Sequence, residues 1–105
     1  MKTTTIDLEH VASVITKAIS EIQALSGRDP SVGGPNVTPI GDLDGFDSYC
    51  SIEATVLIGV RLEITFELES IFISDDGQKA LTIGEIAERV RDIMITNGGS
   101  DEQIG

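Results

Sequence analysis

The side chain best placed to carry a covalent group in this chain is the hydroxyl of Ser48. It lies in the stretch DLDGFDSY, residues 42–49, where a loop leads into an apolar segment. Asp47 is typical of a helix N-cap, whose carboxylate accepts hydrogen bonds from backbone N–H groups. Ser48 would then lie in the first turn, near the positive end of the helix dipole, where an esterified phosphate is stabilised. A phosphate esterified to this serine would therefore be well placed.

The segment Gly45-Phe46-Asp47-Ser48-Tyr49 resembles the start of the second helix in acyl carrier proteins, where a Gly-x-Asp-Ser-Leu segment contains the modified serine. In that family the serine becomes a phosphodiester of 4′-phosphopantetheine. The resemblance implies that Ser48 is the attachment point of this cofactor. It also implies that Asp47 caps the helix and marks the docking place of a phosphopantetheinyl transferase. An Asp-Ser pair is also ordinary capping, so the other elements of the chain must agree with the family.

The balance of charged residues limits the classes of partner. Of the 105 residues, 18 are acidic and 7 are basic, which gives a formal net charge of -11. This charge repels nucleic acid and anionic membranes and favours partners with basic faces. A single cysteine, Cys50, and a single histidine, His10, exclude an internal disulfide and argue against a zinc site. Because no apolar run approaches membrane-spanning length, we expect a cytoplasmic protein. The length of 105 residues leaves room for one domain, and we expect a monomer.

The elements that position the serine begin with an amphipathic first helix. Its apolar residues recur at spacings of three and four, and we predict that it runs from about Thr5 to the pair Ser26-Gly27. From Gly27 to Phe46 the chain is rich in Gly, Pro, Ser, Thr and Asn, which predicts a long loop. The apolar residues that can hold this loop against the core are Val37, Ile40, Leu43 and Phe46.

The segment that follows the serine has an ambivalent pattern. Helical spacing on one face is shown by Tyr49, Ile52, Val56, Gly59 and Val60. Many residues here are nevertheless β-branched, and from position 60 to position 69 apolar and polar residues alternate, which alone predicts a strand. A lone strand would leave its backbone groups unpaired. The resemblance to acyl carrier proteins implies instead that the second helix ends in an extended segment whose alternate residues fill the core, and Ile58, Leu62, Ile64 and Phe66 fit that pattern. On both grounds we predict a helix from about Ser48 to Arg61, followed by such a segment.

The last third of the chain contains two further predicted helices. A short third helix is predicted over Glu67–Ile73, followed by a turn at residues 74–77. The last helix has a clearer start, because Thr82 and Glu85 have the spacing of a capping box. We expect this helix to end at Asn97-Gly98-Gly99. Residues 96–105 are then a polar, frayed tail, which leaves residues 1–95 as the single domain.

The order of these elements is similar to that of acyl carrier proteins from about Ile6 to Ile95. The resemblance implies an all-α fold: a small four-helix bundle with three main helices, a short third helix, and a long loop between helices I and II. It implies a carrier that is not an enzyme and that holds acyl groups as thioesters, in fatty acid, polyketide or related lipid biosynthesis. The implied partners are a phosphopantetheinyl transferase and acyl-transfer and synthase enzymes with basic docking faces.

Two features depart from the family pattern. Tyr49 follows the serine, where the family has leucine or another aliphatic residue. Glu53 is the only acidic residue between Ser48 and Val60, whereas the family's second helix has many acidic residues that dock onto partner enzymes. These departures indicate a specialised carrier with its own partners.

Two small residues near the serine have competing interpretations. Ser51 offers a second hydroxyl for modification, although it lacks the preceding Gly-x-Asp context. Gly59 either simply weakens the helix or leaves room beside the core for an acyl chain.

Two other functions are compatible with the residues alone. Asp42, Asp44 and Glu53 resemble ligands of an EF-hand calcium loop, with the glutamate at its twelfth position. Phe46 and Asp47, however, stand where that loop needs a ligand and a glycine. An acidic helical protein-interaction module without a prosthetic group would have the same composition.

Overall fold

The computed structural model describes the backbone of residues 7–104 and the side chains of residues 7–96. This part of the chain is mostly helical, which confirms the predicted all-α class. It contains no strand, and none of its helices is both long and apolar enough to cross a membrane. The α-helices in chain order are α1 (Leu8–Leu25), α2 (Pro39–Asp42), α3 (Ser48–Leu62) and α4 (Ile83–Ile104).

Helix α1 ends in a cap that depends on glycine. Gly27 has a left-handed backbone with φ of 77°, and the N–H of Arg28 donates to the carbonyl of Gln23 at 2.8 Å. This arrangement pairs a carbonyl that the helix end would leave unbonded. The predicted end of the helix at this glycine is confirmed. The predicted start near Thr5 lies outside the described residues, within which the helix begins at Leu8.

Helix α1 is the element against which α3 and α4 both pack. The core that they share also contains Phe46 from the loop and Phe72 from the segment after α3, whose ring centroids are 5.4 Å apart. The buried apolar face of α1 consists of Val11, Ile15, Ala18, Ile19 and Ile22. Residues 26–47 connect α1 to α3, and α2 in this connection is a short turn whose backbone departs from helical geometry at Ile40 and Gly41.

Helix α3 packs with its small residues inward. Its bounds, Ser48–Leu62, confirm the helix that was predicted to end at Arg61. The buried positions are Ser51, Ala54, Thr55, Ile58 and Gly59. Most of the larger residues that indicated the helix face outward instead: Tyr49 is 79% exposed, Val56 63% and Val60 68%. All of these buried residues except Ile58 are small, which lets the neighbouring chain approach α3 closely.

The chain crosses α3 as soon as the helix ends. Glu63 has a left-handed backbone with φ of 60°, and the N–H of Ile64 donates to the carbonyl of Gly59 at 2.9 Å. A Cβ on Gly59 would lie 2.8 Å from the carbonyl oxygen of Ile64, so glycine is what permits this approach. Beyond the helix, burial alternates as the pattern predicted. The half-buried positions, which pack against the core, are Leu62, Ile64, Phe66 and Leu68.

The predicted third helix at Glu67–Ile73 is wrong, because no residue of this segment is helical. Hydroxyl oxygens accept hydrogen bonds from backbone N–H groups that would bond to backbone carbonyls in a helix. The N–H of Ile71 donates to Thr55 Oγ1 at 3.0 Å, and the N–H of Phe72 donates to Ser70 Oγ at 3.1 Å. Tertiary contacts therefore replace the bonds that would otherwise run along the segment.

The start of α4 has the predicted capping box. The N–H of Thr82 donates to the carboxylate of Glu85 at 2.9 Å, and the N–H of Glu85 donates to Thr82 Oγ1 at 3.2 Å. The next two N–H groups of the helix donate to the carbonyls of Val37 and Pro35, at 2.8 and 2.9 Å. The loop between α1 and α3 is therefore attached to the N-terminus of α4 by bonds that satisfy otherwise unpaired donors.

The predicted end of the last helix at Asn97-Gly98-Gly99 is wrong, because the backbone of α4 continues to Ile104. A glycine costs a helix only about 1 kcal/mol relative to alanine, so these glycines weaken the helix without ending it. The fraying of residues 96–105 and the domain at residues 1–95 stay predictions.

We expect Gly59→Ala to destabilise the protein by about 1–3 kcal/mol, because the new Cβ would overlap backbone. In an unobstructed helix the same change is stabilising by about 0.5–1 kcal/mol. Gly84→Ala is the matched control, since its Cβ would meet its nearest neighbour at 3.4 Å instead of 2.8 Å. Urea denaturation gives the free energy of unfolding of each variant. If Gly59→Ala stabilised the protein, this would contradict the close approach of the Ile64 backbone to α3.

Candidate modification site

Ser48 is the first residue of α3, and its side chain is exposed. Asp47 before it has an extended backbone, and its carboxylate accepts the N–H of Cys50 at 3.1 Å. Asp47 is therefore the N-cap that the sequence indicated. Within the described residues, the hydroxyl of Ser48 makes no hydrogen bond, while its carbonyl accepts one from Ser51. The structure thus presents an unengaged hydroxyl at a capped helix start.

The carboxylate of Asp47 stays ionised to a lower pH than an ordinary aspartate. The hydrogen bond from the backbone N–H of Cys50 is the main cause that lowers the pKa of Asp47. A phosphate on Ser48 would therefore lie between two opposing influences. The N-terminus of α3 favours an anion, and the neighbouring carboxylate repels one.

A buried glutamine fixes the loop before the serine to α1. Gln23 is 1% exposed, and its side-chain N–H donates to the carbonyl of Asp44 at 2.8 Å. Its side-chain oxygen accepts from Arg28 Nε at 3.1 Å, and Nη2 of the same arginine lies 3.4 Å from Cys50 Sγ. Sequence reasoning missed the roles of Gln23 and Arg28. The available signal was a polar residue at position 23, next to the apolar face of α1.

Hydroxyl groups line the inner face of α3 below the serine. Ser51 Oγ donates to the carbonyl of Ser48 at 2.7 Å and accepts from Ser70 Oγ at 2.9 Å. One turn further, Thr55 Oγ1 donates to the carbonyl of Ser51 at 2.8 Å. Ser51 and Thr55 are both buried. Ser51 is therefore inaccessible to a modifying enzyme, which removes it as a competitor of Ser48.

Ser48 lines a depression of about 370 Å³ that the sequence did not predict. Ile40 of the loop forms part of its wall. The opposite wall belongs to a hairpin at residues 72–81, which contributes Lys79 and Ala80. The fold therefore brings apolar surface and one cation beside the hydroxyl, from residues about thirty positions away in the sequence.

The described side chains at this site provide no effective general base for Ser48. Lys79 is the basic residue of the depression, and its ammonium lies 3.5 Å from the carboxylate of Glu85. An ammonium group donates hydrogen bonds and cannot accept a proton. The lowered pKa of Asp47 makes that carboxylate a weak base. The site can present a hydroxyl to an enzyme, but it does not activate that hydroxyl itself.

The acidic loop does not assemble a calcium site in the described part of the chain. The carboxylate of Asp42 accepts the N–H of Thr38 at 2.8 Å, and that of Asp47 is bound to the N–H of Cys50. Among residues 7–96, no three or more His, Cys, Asp and Glu side chains converge to hold a metal ion. The geometry gives the EF-hand interpretation no support.

No protein-family model, curated protein or solved structure matches this chain. The likeness to acyl carrier proteins is therefore an inference from the sequence, from the segment 45–49 and the predicted order of the elements, and the non-helical segment 67–73 departs from that order. In the structure, Ser48 is exposed at the capped start of α3.

We expect Asp47 to contribute stability that depends on pH. Because folding lowers its pKa, this contribution is complete above the ordinary value of 3.8 and is lost as the pH falls through the lowered pKa. Asp47→Asn keeps a good N-cap that does not titrate. The stability advantage of wild type over Asp47→Asn, measured by urea denaturation, should therefore be smaller at about pH 3 than at about pH 7.

Asp44→Asn is the control for this experiment, because the Asp44 side chain makes no hydrogen bond within the described residues. Its free energy of unfolding relative to wild type should change less with pH. An advantage over Asp47→Asn that stays constant down to about pH 3 would contradict the capping interaction.

Proposed function

We propose that this protein is an acyl carrier protein whose Ser48 is the attachment point of 4′-phosphopantetheine. One observation carries the proposal: the hydroxyl of Ser48 is exposed at the start of α3, directly after a capping aspartate, and borders a depression. A carrier needs a hydroxyl that a transferase can reach. It does not need a base of its own, because the transferase supplies one.

The modification would transfer a phosphopantetheinyl group from coenzyme A. The oxygen of Ser48 attacks the phosphorus that bears the pantetheine arm, and a new P–O bond forms as the diphosphate P–O bond breaks. The electron pair of that bond leaves with adenosine 3′,5′-bisphosphate, and the hydroxyl proton passes to the transferase. The N-terminus of α3 favours the anionic product and Lys79 lines the same depression, while the neighbouring carboxylate of Asp47 opposes the added charge.

The chain's own residues would hold the attachment point. Asp47 caps the helix and marks where the transferase docks, Gln23 fixes the preceding loop, and Ser51 binds the carbonyl of Ser48. When attached, the arm supplies a thiol that holds acyl groups as thioesters. The protein is then not an enzyme. The transferase and the acyl-transfer and synthase enzymes that dock on it perform the reactions.

The finer architecture belongs to the same proposal. The three long helices would correspond to the main helices of a carrier-protein bundle, and residues 26–47 to the loop between helices I and II. The non-helical segment 67–73 and the hairpin at residues 72–81 would stand in for the family's third helix. The single domain at residues 1–95, the monomeric state and the cytoplasmic location are part of this assignment.

A second candidate function is an acidic helical interaction module without a prosthetic group. One observation favours it: Tyr49, directly after the serine, is 79% exposed and begins an apolar row along α3 in place of an acidic face. Such a row can bind a partner whether or not Ser48 is modified. The two candidates differ in whether the protein gains an arm.

We expect the purified protein to gain the mass of one arm when it is incubated with coenzyme A and a broad-specificity phosphopantetheinyl transferase. Ser48→Ala removes the attacking oxygen and should abolish this gain in intact-mass measurements. Ser13→Ala, which removes an exposed hydroxyl from α1, is the matched control and should be modified like wild type. An unmodified wild type, or an arm on Ser48→Ala, would contradict the assignment of Ser48 as the attachment point.

We expect the attached arm to lie against the depression beside Ser48, where Ile40 and Ala80 offer apolar contact and Lys79 offers a cation. The backbone amide signals of residues 77–80 should then shift in nuclear magnetic resonance spectra when the protein is modified. Residues 29–31, in another exposed part of the structure, are the comparison and should shift less. Equal shifts in both segments would mean that the arm extends into solvent.

A further inference from the structure

Helix α3 presents a row of large apolar side chains to the outside. The exposed fractions are 79% for Tyr49, 37% for Ile52, 63% for Val56 and 68% for Val60. Their spacing of three and four residues places them on one face, which we call the α3 stripe. Single exposed apolar residues are common on proteins, but a contiguous row along a helix marks an interaction surface.

Beside the α3 stripe runs a groove of about 470 Å³. One wall contains Ile52, Val56 and Val60 of the stripe, while Tyr49 does not line the groove. The opposite wall consists of half-buried residues of the segment after α3, namely Ile64, Phe66 and Leu68. Gly59 also lines the groove, and its missing side chain lets the two walls lie close together. The groove is thus an apolar channel along α3, built by the same crossing that ends the helix.

Acidic side chains border this groove. Glu63 and Glu69 line it, and no lysine or arginine of the described residues does. Arg61 at the end of α3 is engaged elsewhere, because its guanidinium contacts the carboxylate of Glu21 at 2.7 Å. Glu63 and Glu69 take part in no ion pair within residues 7–96. The groove therefore combines an apolar interior with an anionic rim.

We propose that the groove binds an amphipathic helix of a partner protein, with its apolar face in the groove and lysine or arginine residues on its flanks. Charge favours this partner over two other occupants, a second copy of the chain and an anionic lipid surface. A second copy of this chain would bring two sets of Glu63 and Glu69 together, and each copy has a net charge of -11. An anionic lipid surface is repelled in the same way. A basic helix instead places cations against carboxylates that lack a partner.

The dimensions of the α3 stripe suit such a helix. At about 1.5 Å per residue, the part of the stripe that lines the groove, from Ile52 to Val60, is about 12 Å long, or about two helical turns. A helix of that length presents apolar side chains at i, i+3 or i+4, and i+7, which is the usual pattern of helix-in-groove recognition. The first α3 residue of the groove, Ile52, follows Ser48 by about one helical turn. The proposal does not depend on modification of that serine.

The test uses the full chain and a fluorescent peptide of about four helical turns, with leucines on one face and lysines on the flanks. Fluorescence anisotropy gives its Kd for wild type and for the groove variant Val56→Ser/Val60→Ser. The matched control, Leu25→Ser/Ile95→Ser, removes exposed apolar side chains outside the groove and leaves the charge unchanged. We expect the groove variant to bind at least about tenfold more weakly than the control.

A second pair of variants tests the anionic rim. Glu63→Gln/Glu69→Gln should weaken peptide binding several-fold at low salt, and the loss should shrink as the salt concentration rises. Glu9→Gln/Glu88→Gln is the control, because it removes the same charge from exposed positions outside the groove. Circular dichroism checks that each variant is folded as wild type.

Every outcome supports or overturns the proposal. A larger Kd of the lysine peptide for both groove variants than for their controls supports the proposal. Equal affinities for groove and control variants, or no binding of the lysine peptide to wild type, overturn it. Light scattering after size exclusion tests the other occupant. Self-association of wild type that Val56→Ser/Val60→Ser abolishes would assign the groove to a second copy and overturn the proposal as well.

Discussion

The carbonyl oxygen of Ile64 lies 2.8 Å from the place that a Cβ of residue 59 would take, and the architecture around α3 depends on this crossing. Gly59 lets the chain turn back along the helix instead of leaving it. Thr55 holds the returning chain further on, because its hydroxyl accepts the N–H of Ile71. Since so close an approach requires small residues on the inner face, most of the larger apolar side chains of α3 face outward. The exposed stripe and the groove beside it are consequences of one steric requirement.

The same inner face supports the candidate attachment site. Ser51 binds the carbonyl of Ser48 from the inside of the fold, and Asp47 caps the helix from the outside. Gln23, buried on α1, holds the preceding loop through the carbonyl of Asp44. The helix start is thus ordered before any enzyme binds, so a transferase would not have to meet the entropic cost of ordering it. The hydroxyl of Ser48 is therefore exposed on a backbone that hydrogen bonds hold in place.

The distribution of charge departs from the pattern expected of acyl carrier proteins, the family proposed for this chain. Their second helix has many acidic residues, whereas here Glu53 is the only acid between Ser48 and Val60. The α3 stripe is apolar, and two carboxylates that follow α3 in the chain, Glu63 and Glu69, line the groove beside it. Charges at such a border steer association and are screened by salt, while burial of apolar surface supplies most of the affinity. The proposed partner helix would therefore be guided by charge and held by apolar contact.

Local chemistry explains what the sequence by itself determined. The Asp47 cap, the capping box of α4 and the glycine end of α1 each involve residues a few positions apart, and the alternating burial after α3 follows from the opposite directions of successive side chains. Tertiary structure decided the rest. The hydroxyl of Thr55 accepts the N–H of Ile71, which a third helix would have used. A hairpin brings Lys79 beside Ser48. The close approach of the segment after α3 determines which face of that helix is buried. Hydrophobic periodicity identifies a helix, but the steric limit that selects its inner face exists only once two distant segments are in contact.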